Sequence, residues 1–287
     1  MNRSDVPAKN FCFDLHLNSV LITPHRCIMT APITDETCTT QITARIGVLA
    51  TMLDVAASDP VLAAWSPDWT ATQDLSIHSV SPIKNGPIVV DARTARLGSK
   101  TIFVRADIYE GRGLSDISDL CAAIDKGGET NSGLTLAAKG LITFIRLPRT
   151  GAKGVDTYNP NEWVGELKTR SSHIHNPEML NDRLGVKLID PQSGVVEIAN
   201  SPYVANSIGT INGGVQAITM ETAAESMFPG MVATDIQIHY MSQLKVGPAR
   251  TRCSVIREAS DHCIVQVDLI DHGSEDKLLS TATFTLQ

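Results

Sequence analysis

The segment N-S-I-G-T-I-N-G-G-V-Q-A-I-T-M-E, residues 206–221, decides how the rest of the chain is interpreted. A polar loop ends at Gly213 and Gly214, and an apolar, alanine-rich helix follows. The first N–H groups of a helix have no partner inside the helix, so this start can face an oxyanion or a phosphate. Glu221 lies two turns further on, on the same face as Gly214. A carboxylate among apolar residues is unfavourable unless it is paired or used, so Glu221 is either an ion-paired helix acid or a functional group.

Composition excludes several classes of function. The 287-residue chain has a formal charge of −7, 19% charged residues and 43% apolar residues, which indicates a packed globular protein. Net acidity without a basic stripe argues against a nucleic-acid partner. No apolar run approaches the roughly 20 residues of a membrane span, and no apolar segment of the signal-peptide type follows the N-terminus. We therefore expect a cytoplasmic protein without a membrane partner, whose six cysteines are free thiols.

An internal repeat relates the two halves of the chain. At an offset of 167, residues 17–57 align without gaps with residues 184–224, and 10 of 41 positions are identical. At an offset of 161, residues 74–110 align with residues 235–271, and 11 of 37 positions are identical. Each copy predicts a hairpin, a loop, a helix and three or four antiparallel strands. A helix against an antiparallel sheet is an α+β arrangement, and two copies predict a pseudo-two-fold dimer within one chain.

The element boundaries follow from apolar periodicity and turn residues. The first copy predicts a hairpin turning at residues 23–26 and a helix from Gly47 to Ala57 that Asp59-Pro60 breaks up. The following segments predict four strands and one short helix: residues 70–81, 88–96, 101–109 and 134–147 for the strands, and residues 116–124 for the helix. The predicted domains are residues 10–148 and residues 177–287, with a short helix near residues 177–183. Between them, residues 149–176 show little periodicity and are predicted to be a linker.

The motifs of the second copy resemble those of a known family. Asn206, Asn212-Gly213-Gly214 and Glu221 fit N-x(5)-[HN]-G-G-x(6)-[DE]-x-A, and D-I-Q-I-H-Y-M-S-Q-L-K-V-G-P follows from Asp235. This pattern is similar to that of hotdog-fold thioesterases of the phenylacetate-degradation type. The resemblance implies two tandem hotdog units and hydrolysis of an acyl-CoA or a related thioester without a cofactor. It is also compatible with a homodimer of such chains.

In that family the active site lies between two hotdog units. One unit contributes an Asn and a glycine N–H at the helix start, which hold the thioester carbonyl. The other unit contributes an acid on the helix and a Ser or Thr of the next strand, which activate and orient the attacking water molecule. Carried over, the resemblance assigns Asn206, Asn212 and Gly213 to the carbonyl side, although Asn212 stands where the family usually has His. It assigns Asp54 and Thr72 to the acid side.

The second, pseudo-equivalent site departs from the family pattern. Glu221 provides the helix acid, but Ala233 stands where a hydroxyl is expected. The matching loop of the first copy has Thr39, Arg45 and Ile46 in place of the carbonyl-binding residues. We therefore expect one complete site and one eroded site, with Arg45 neutralising the Glu221 carboxylate.

Cations are needed for the phosphates of coenzyme A. Besides the Gly214 helix entry, the predicted substrate-binding residues are cations: Lys84, Lys245, Arg93 and Arg257, with Arg96, Arg250 and Arg252 as further candidates. No metal site is expected, because His173 and His175 have no acidic cluster near them.

Three functions remain open at this point. The first is a thioesterase in which the Asp54 carboxylate is either a general base or a nucleophile. The second is a non-catalytic acyl-thioester binding protein. The third, a hotdog hydratase, is the least supported, because its D-x(4)-H pair is replaced by D-x(3)-H at Asp74/His78 and Asp235/His239.

Overall fold

The structure is a computed structural model that describes residues 10–126, 133–148, 158–171 and 178–287. Its α-helices are α1 (Ile46–Trp65), α2 (Ile117–Asp125), α3 (Leu180–Leu184) and α4 (Gly213–Met227). Its strands are β1 (Leu17–Thr23), β2 (Arg26–Ala31), β3 (Trp69–Ser79), β4 (Ile88–Leu97), β5 (Thr101–Glu110), β6 (Thr135–Leu147), β7 (Leu167–Arg170), β8 (Lys187–Asp190), β9 (Val195–Ile198), β10 (Ala233–Tyr240), β11 (Ala249–Glu258), β12 (Cys263–Asp271) and β13 (Lys277–Leu286). Short 3₁₀ helices in the described ranges are Phe11–Phe13, Asp35–Thr37 and Pro160–Trp163.

The strands form one antiparallel sheet whose order is mirrored about its centre. The order is β7-β1-β2-β4-β5-β6-β3-β10-β13-β12-β11-β9-β8. At the centre, β3 pairs with β10, and Ile77 lies opposite Ile236. Outward from this pair, β6, β5, β4, β2 and β1 follow on one side, and β13, β12, β11, β9 and β8 follow on the other. The predicted hairpin is β1–β2, and the predicted strands of the first copy are β3 to β6, so the α+β class is confirmed.

Helices α1 and α4 approach each other closely at two glycines. A Cβ atom on Gly214 would lie 2.7 Å from the Thr51 Cβ and 2.9 Å from the Thr51 Cα. A Cβ atom on Gly47 would lie 2.8 Å from the Ile218 Cα. Only glycine leaves room for this contact, so Gly214 is needed for helix packing as well as for the helix entry.

Helix α1 differs from the prediction in two respects. It continues through Pro60 to Trp65 instead of ending at Asp59-Pro60. The backbone hydrogen bond lost at Pro60 is offset because Val61 and Trp65 are buried in the core.

The expectation that no apolar run approaches the length of a membrane span is also wrong. The 20 residues of α1 are long and apolar enough, by length and composition, to cross a membrane. In this structure 78% of that apolar window is buried, as in the core helix of a globular fold.

Part of the predicted linker is regular structure. Strand β7 pairs with the edge strand β1, so that Arg170 lies opposite Leu17. Four residues are too few to show a period, and the free edge of β1 determines that they form a strand. The short helix predicted near residues 177–183 is α3, and residues 172–177 lie outside the described residues. The helix predicted at residues 116–124 is α2, which packs Leu120 on the sheet face opposite α1.

The six cysteines are free, as predicted, and three of them, Cys12, Cys27 and Cys263, are buried.

Candidate active site

A cavity of about 500 Å³ lies where the two halves of the chain meet. One wall is formed by α1 and by the adjoining ends of β3 and β6, and another by the loop before α4 and the segment after β10. All five residues that the family resemblance assigned to the complete site line this cavity: Asp54, Thr72, Asn206, Asn212 and Gly213. The structure therefore brings together an acid from the first half and a helix start from the second.

The acid side of the cavity is the pair Asp54 and Thr72. Asp54 lies in the middle of α1, and Thr72 lies in the first part of β3, the strand that follows. The Thr72 hydroxyl donates a hydrogen bond of 2.5 Å to Asp54 Oδ1. Burial raises the pKa of Asp54 to about 6, and the Thr72 hydrogen bond opposes that shift. A carboxylate with such a pKa is ionised at neutral pH and still basic enough to accept a proton.

The opposite side offers hydrogen-bond donors. The Gly213 N–H is at the first position of α4 and has no acceptor among the described residues, so the helix dipole and a free donor coincide. The Asn206 amide oxygen accepts from the N–H groups of Ile208 and Thr210 at 3.1 and 3.2 Å. The oxygen is thus used within the loop, and the Asn206 amide nitrogen remains as the donor for a ligand.

Asn212 has a structural role in this arrangement. It is the N-cap of α4, and its side-chain oxygen accepts a 2.8 Å hydrogen bond from the Gly214 N–H. This bond orients the helix start, and it consumes the Gly214 donor but leaves that of Gly213.

Tyr240, which no sequence motif had singled out as functional, links the two sides of the cavity. Its hydroxyl donates a 3.0 Å hydrogen bond to the Gly213 carbonyl oxygen. Burial, and secondly the charge of Asp54, raise the pKa of Tyr240, so the phenol is neutral and lies within electrostatic range of the carboxylate. Tyr240 is part of the H-Y-M-S segment at the end of β10, and that position was the available sequence clue.

Glu221 lies outside the cavity and is paired. Its carboxylate is fully buried, and Arg45 Nε donates to Glu221 Oε2 at 3.0 Å. The same guanidinium also bonds the Asn181 and Thr222 side chains, at 2.7 and 3.0 Å. The geometry is that of a buried ion pair that fills the second, pseudo-equivalent position.

A second acid adds to this crowded position. Glu225 occupies the repeat position of Ser58, which lines the cavity in the first half. Burial and the Glu221 charge raise the pKa of Glu225 to about 7, while a 2.9 Å hydrogen bond from the Ala233 N–H opposes the shift. The position around Glu221 therefore contains two acids and one arginine, whereas the equivalent position of the first half contains one acid, Asp54, next to the cavity.

Comparison with known proteins identifies the fold family. Residues 202–287 match the family model for the acyl-CoA thioesterase N-terminal domain. This match lies in the second half of the chain and covers 86 of its 287 residues. The matched domain is that of a thioester hydrolase. No curated protein matches the sequence.

Several solved structures share the fold of this chain at low sequence identity. The chain is similar to a 12:0-ACP thioesterase from Umbellularia californica, with a TM-score of 0.55 and 8% identity over 91% of this chain and 94% of that chain. It is similar to an acyl-ACP thioesterase from Bacteroides thetaiotaomicron, with a TM-score of 0.54 and 9% identity over 91% of this chain and 98% of that chain. A protein of unknown function with a hot dog fold from Alicyclobacillus acidocaldarius gives a TM-score of 0.53 and 9% identity, over 91% and 92% of the two chains.

The cations predicted to bind the phosphates of coenzyme A are not part of the cavity wall. Lys84, Lys245, Arg93 and Arg257 do not line it. The Arg93 guanidinium forms a 2.7 Å ion pair with the buried Asp91. His173 and His175 lie outside the described residues.

A different cation does line the cavity. Arg170 of β7 contributes to the wall together with Tyr158, which precedes the 3₁₀ helix Pro160–Trp163. Both come from the segment predicted to be a linker, where no periodicity or motif pointed to them.

Proposed function

We propose that the protein is an acyl-CoA thioesterase with one working site between two tandem hotdog units. The units are residues 10–148 and 177–287, joined by residues 149–176. The mirrored strand order about the β3–β10 pair supports this division. So does the cross-strand pairing of His78 with Asp235 and of Asp74 with His239, which are related by the repeat offset of 161. Such pairing is expected of a pseudo-two-fold axis between the two central strands.

One observation carries the proposed activity. A carboxylate that is held by a hydroxyl, Asp54 with Thr72, lines the same cavity as an unused helix N–H, that of Gly213. Thioester hydrolysis requires these two components: a group that activates water and a site for the negative charge of the carbonyl oxygen.

The mechanism follows from the two sides. The Asp54 carboxylate accepts a proton from a water molecule, and a lone pair of the Thr72 oxygen orients the same water. The water oxygen attacks the carbonyl carbon, and the oxyanion is held by the Gly213 N–H and the Asn206 amide. One such preorganised donor contributes about 3 kcal/mol to lowering the barrier. Collapse breaks the C–S bond, and the Asp54 carboxylic acid returns the proton to the sulfur, which yields a carboxylic acid and a thiol.

The Glu221 position is proposed to be inactive. The Arg45 guanidinium pairs with the Glu221 Oε2 atom, and Glu225 adds a second buried acid beside this pair. Removing one partner of a buried pair typically costs about 3–5 kcal/mol, so this pair is retained for the fold.

The test is thiol release from a panel of aliphatic and aryl coenzyme A thioesters. Wild type is expected to hydrolyse at least one member, and Asp54→Ala is expected to fall to background. The contrary result is wild type with no thiol release from any member while its melting temperature rises on ligand addition. That result would favour a binding protein over an enzyme.

A further inference from the structure

The part of the cavity next to β7 contains a cation, Arg170. Residues of a strand alternate between its faces, so Lys168 and Arg170 point to the same, half-buried side of β7. Arg170 lines the cavity. Among the described residues its only hydrogen bond goes from an Nη1 N–H to the Ser19 Oγ, at a long 3.4 Å, and no carboxylate pairs with it.

The neighbouring cation, in contrast, is already satisfied. Lys168 donates to the Tyr158 hydroxyl at 3.2 Å and lies 3.5 Å from the centre of the Trp163 ring. The Tyr158 hydroxyl donates in turn to the buried Asp59 at 2.5 Å. The described hydrogen bonds of Asp59 lead through the Tyr158 hydroxyl to Lys168, and none of them reaches Arg170.

Apolar and aromatic side chains line the same cavity as Arg170. They are Phe13, Leu62, Trp69, Phe144 and Leu147. Burial raises the pKa of the Cys12 thiol to about 12, Arg170 lowers it and Asp54 raises it, which places Cys12 within reach of both charges. The cavity thus has the proposed reaction centre, apolar walls and a free guanidinium.

A guanidinium recognises a carboxylate through two parallel N–H donors. A cavity of about 500 Å³ with apolar walls has the volume and the lining that an acyl group fills, whereas the nucleotide end of coenzyme A is highly charged and strongly hydrated. The acyl group is therefore the part of the substrate that suits this wall.

We propose that Arg170 binds a carboxylate carried by the acyl group, so that the preferred substrates are thioesters of dicarboxylic acids. This inference rests on the proposed thioesterase function and adds a substrate class to it. Arg170 is a specificity residue that touches the substrate away from the scissile bond.

Matched substrate pairs test the proposal. Adipoyl-CoA is compared with hexanoyl-CoA, and suberoyl-CoA with octanoyl-CoA, so that each pair differs only in the terminal carboxylate. Wild type is expected to prefer the carboxylated member. Arg170→Gln is expected to lower kcat/KM for that member by about ten- to a hundred-fold, as for a lost hydrogen bond to a charged group. The uncharged member should change by less than about threefold. Equal losses on both members would overturn the proposal.

Two control variants separate charge recognition from structural damage. Arg170→Lys retains the charge without the planar fork and should retain part of the preference. Arg105→Gln, at an exposed position of β5, removes the same charge elsewhere and should leave both members of each pair unchanged. Melting temperatures of all variants establish that they are folded.

Pantetheine thioesters of the same acids show whether Arg170 contacts the acyl carboxylate or a phosphate of coenzyme A, because pantetheine carries no phosphate. The Arg170→Gln loss should persist with them. Disappearance of the loss would show that Arg170 contacts a coenzyme A phosphate and would overturn the proposal.

A binding measurement tests the Arg170 proposal independently of turnover. Calorimetry compares two non-hydrolysable pantetheine thioethers, S-hexyl and S-(5-carboxypentyl). Wild type is expected to bind the carboxylated thioether at least about tenfold more tightly, and Arg170→Gln is expected to lose that difference. Absence of thioester turnover in wild type contradicts the proposed function alone, whereas equal affinities for the two thioethers contradict the Arg170 proposal.

Discussion

Replacing Thr72 with valine is expected to shift the pH dependence of hydrolysis to higher pH. The Thr72 hydroxyl donates a 2.5 Å hydrogen bond to Asp54, and it opposes the burial that raises the pKa of Asp54 to about 6. A hydrogen bond to a charged group contributes about 1.5–3 kcal/mol, and one pKa unit corresponds to about 1.4 kcal/mol. Loss of the bond should therefore raise the Asp54 pKa by about one to two units.

The direction follows from the role of the carboxylate. A general base works in its ionised form, so kcat/KM falls as the pH drops through the Asp54 pKa. Wild type should reach half of its maximal kcat/KM near pH 6. Thr72→Val should reach it about one to two units higher, with activity at neutral pH reduced several-fold and partly recovered under alkaline conditions.

The assay is kcat/KM for one thioester from about pH 5 to about pH 9, the range that contains the acidic limb of the pH profile, where kcat/KM falls with decreasing pH. Thr72→Ser is the matched control, because it retains the hydroxyl and its acidic limb should lie at the same pH as that of wild type. A Thr72→Val profile whose limb stays at the wild-type pH, or a wild-type profile that is flat through pH 6, would refute the reasoning.

Three further outcomes are expected. Asp54→Asn should stabilise the protein at about pH 8. The folded-state pKa of Asp54, about 6, exceeds its ordinary 3.8, so this group favours the fold below about pH 4 and that contribution is lost as the pH rises through 6. The gain should be about 1–3 kcal/mol in urea unfolding at pH 8 and near zero at pH 4, and a loss of stability at pH 8 would contradict it. Gly214→Ala should destabilise the protein by more than about 2 kcal/mol, because the new Cβ would lie 2.7 and 2.9 Å from the Thr51 Cβ and Cα. Thr51→Ala should not rescue it, since those two atoms remain, and full rescue in thermal unfolding would contradict the packing argument. Glu221→Ala should lower the unfolding free energy by about 3–5 kcal/mol by leaving the buried Arg45 without its 2.9 Å ion pair, and an unchanged urea midpoint would count against it.

Most of the fold could be predicted because the chain repeats itself. The limits of the strands followed from the alternation of apolar residues and from turn residues. Strands β4 and β5 begin at the predicted residues, Ile88 and Thr101. Helix α1 was predicted too short, because local propensity stops a helix at Pro60 whereas burial of Val61 and Trp65 extends it. Strand β7 could not be predicted, since its pairing with β1 is a long-range choice of four residues.

The candidate site was predictable where its residues belong to a motif. Asp54, Thr72 and Gly213 were placed by the repeat and the family resemblance, and they line one cavity. Arg170 and Tyr158 carried no such pattern, because their position at the cavity comes from the tertiary path of the segment before the second half.

The two lysines that are predicted to bind phosphate lie in turns whose repetition the fold explains. Lys84 and Lys245 are related by the repeat offset of 161 and begin the turns K-N-G-P and K-V-G-P. In the structure the Lys84 N–H donates to Glu110 Oε1 at 2.8 Å, and the Lys245 N–H donates to Asp271 Oδ2 at 2.9 Å. A buried carboxylate holds the backbone of each turn, so the repetition is explained by turn geometry and does not require a ligand.

The central claim is that Asp54, and not Glu221, is the working acid. Its most direct test is kcat/KM for Asp54→Asn and Glu221→Gln, measured side by side on the same thioester with protein shown to be folded. Both substitutions exchange a carboxylate for an amide of the same shape. The structure predicts a fall of about a hundred-fold or more for Asp54→Asn and a change within about threefold for Glu221→Gln. Loss of activity in Glu221→Gln with activity retained in Asp54→Asn would contradict the account.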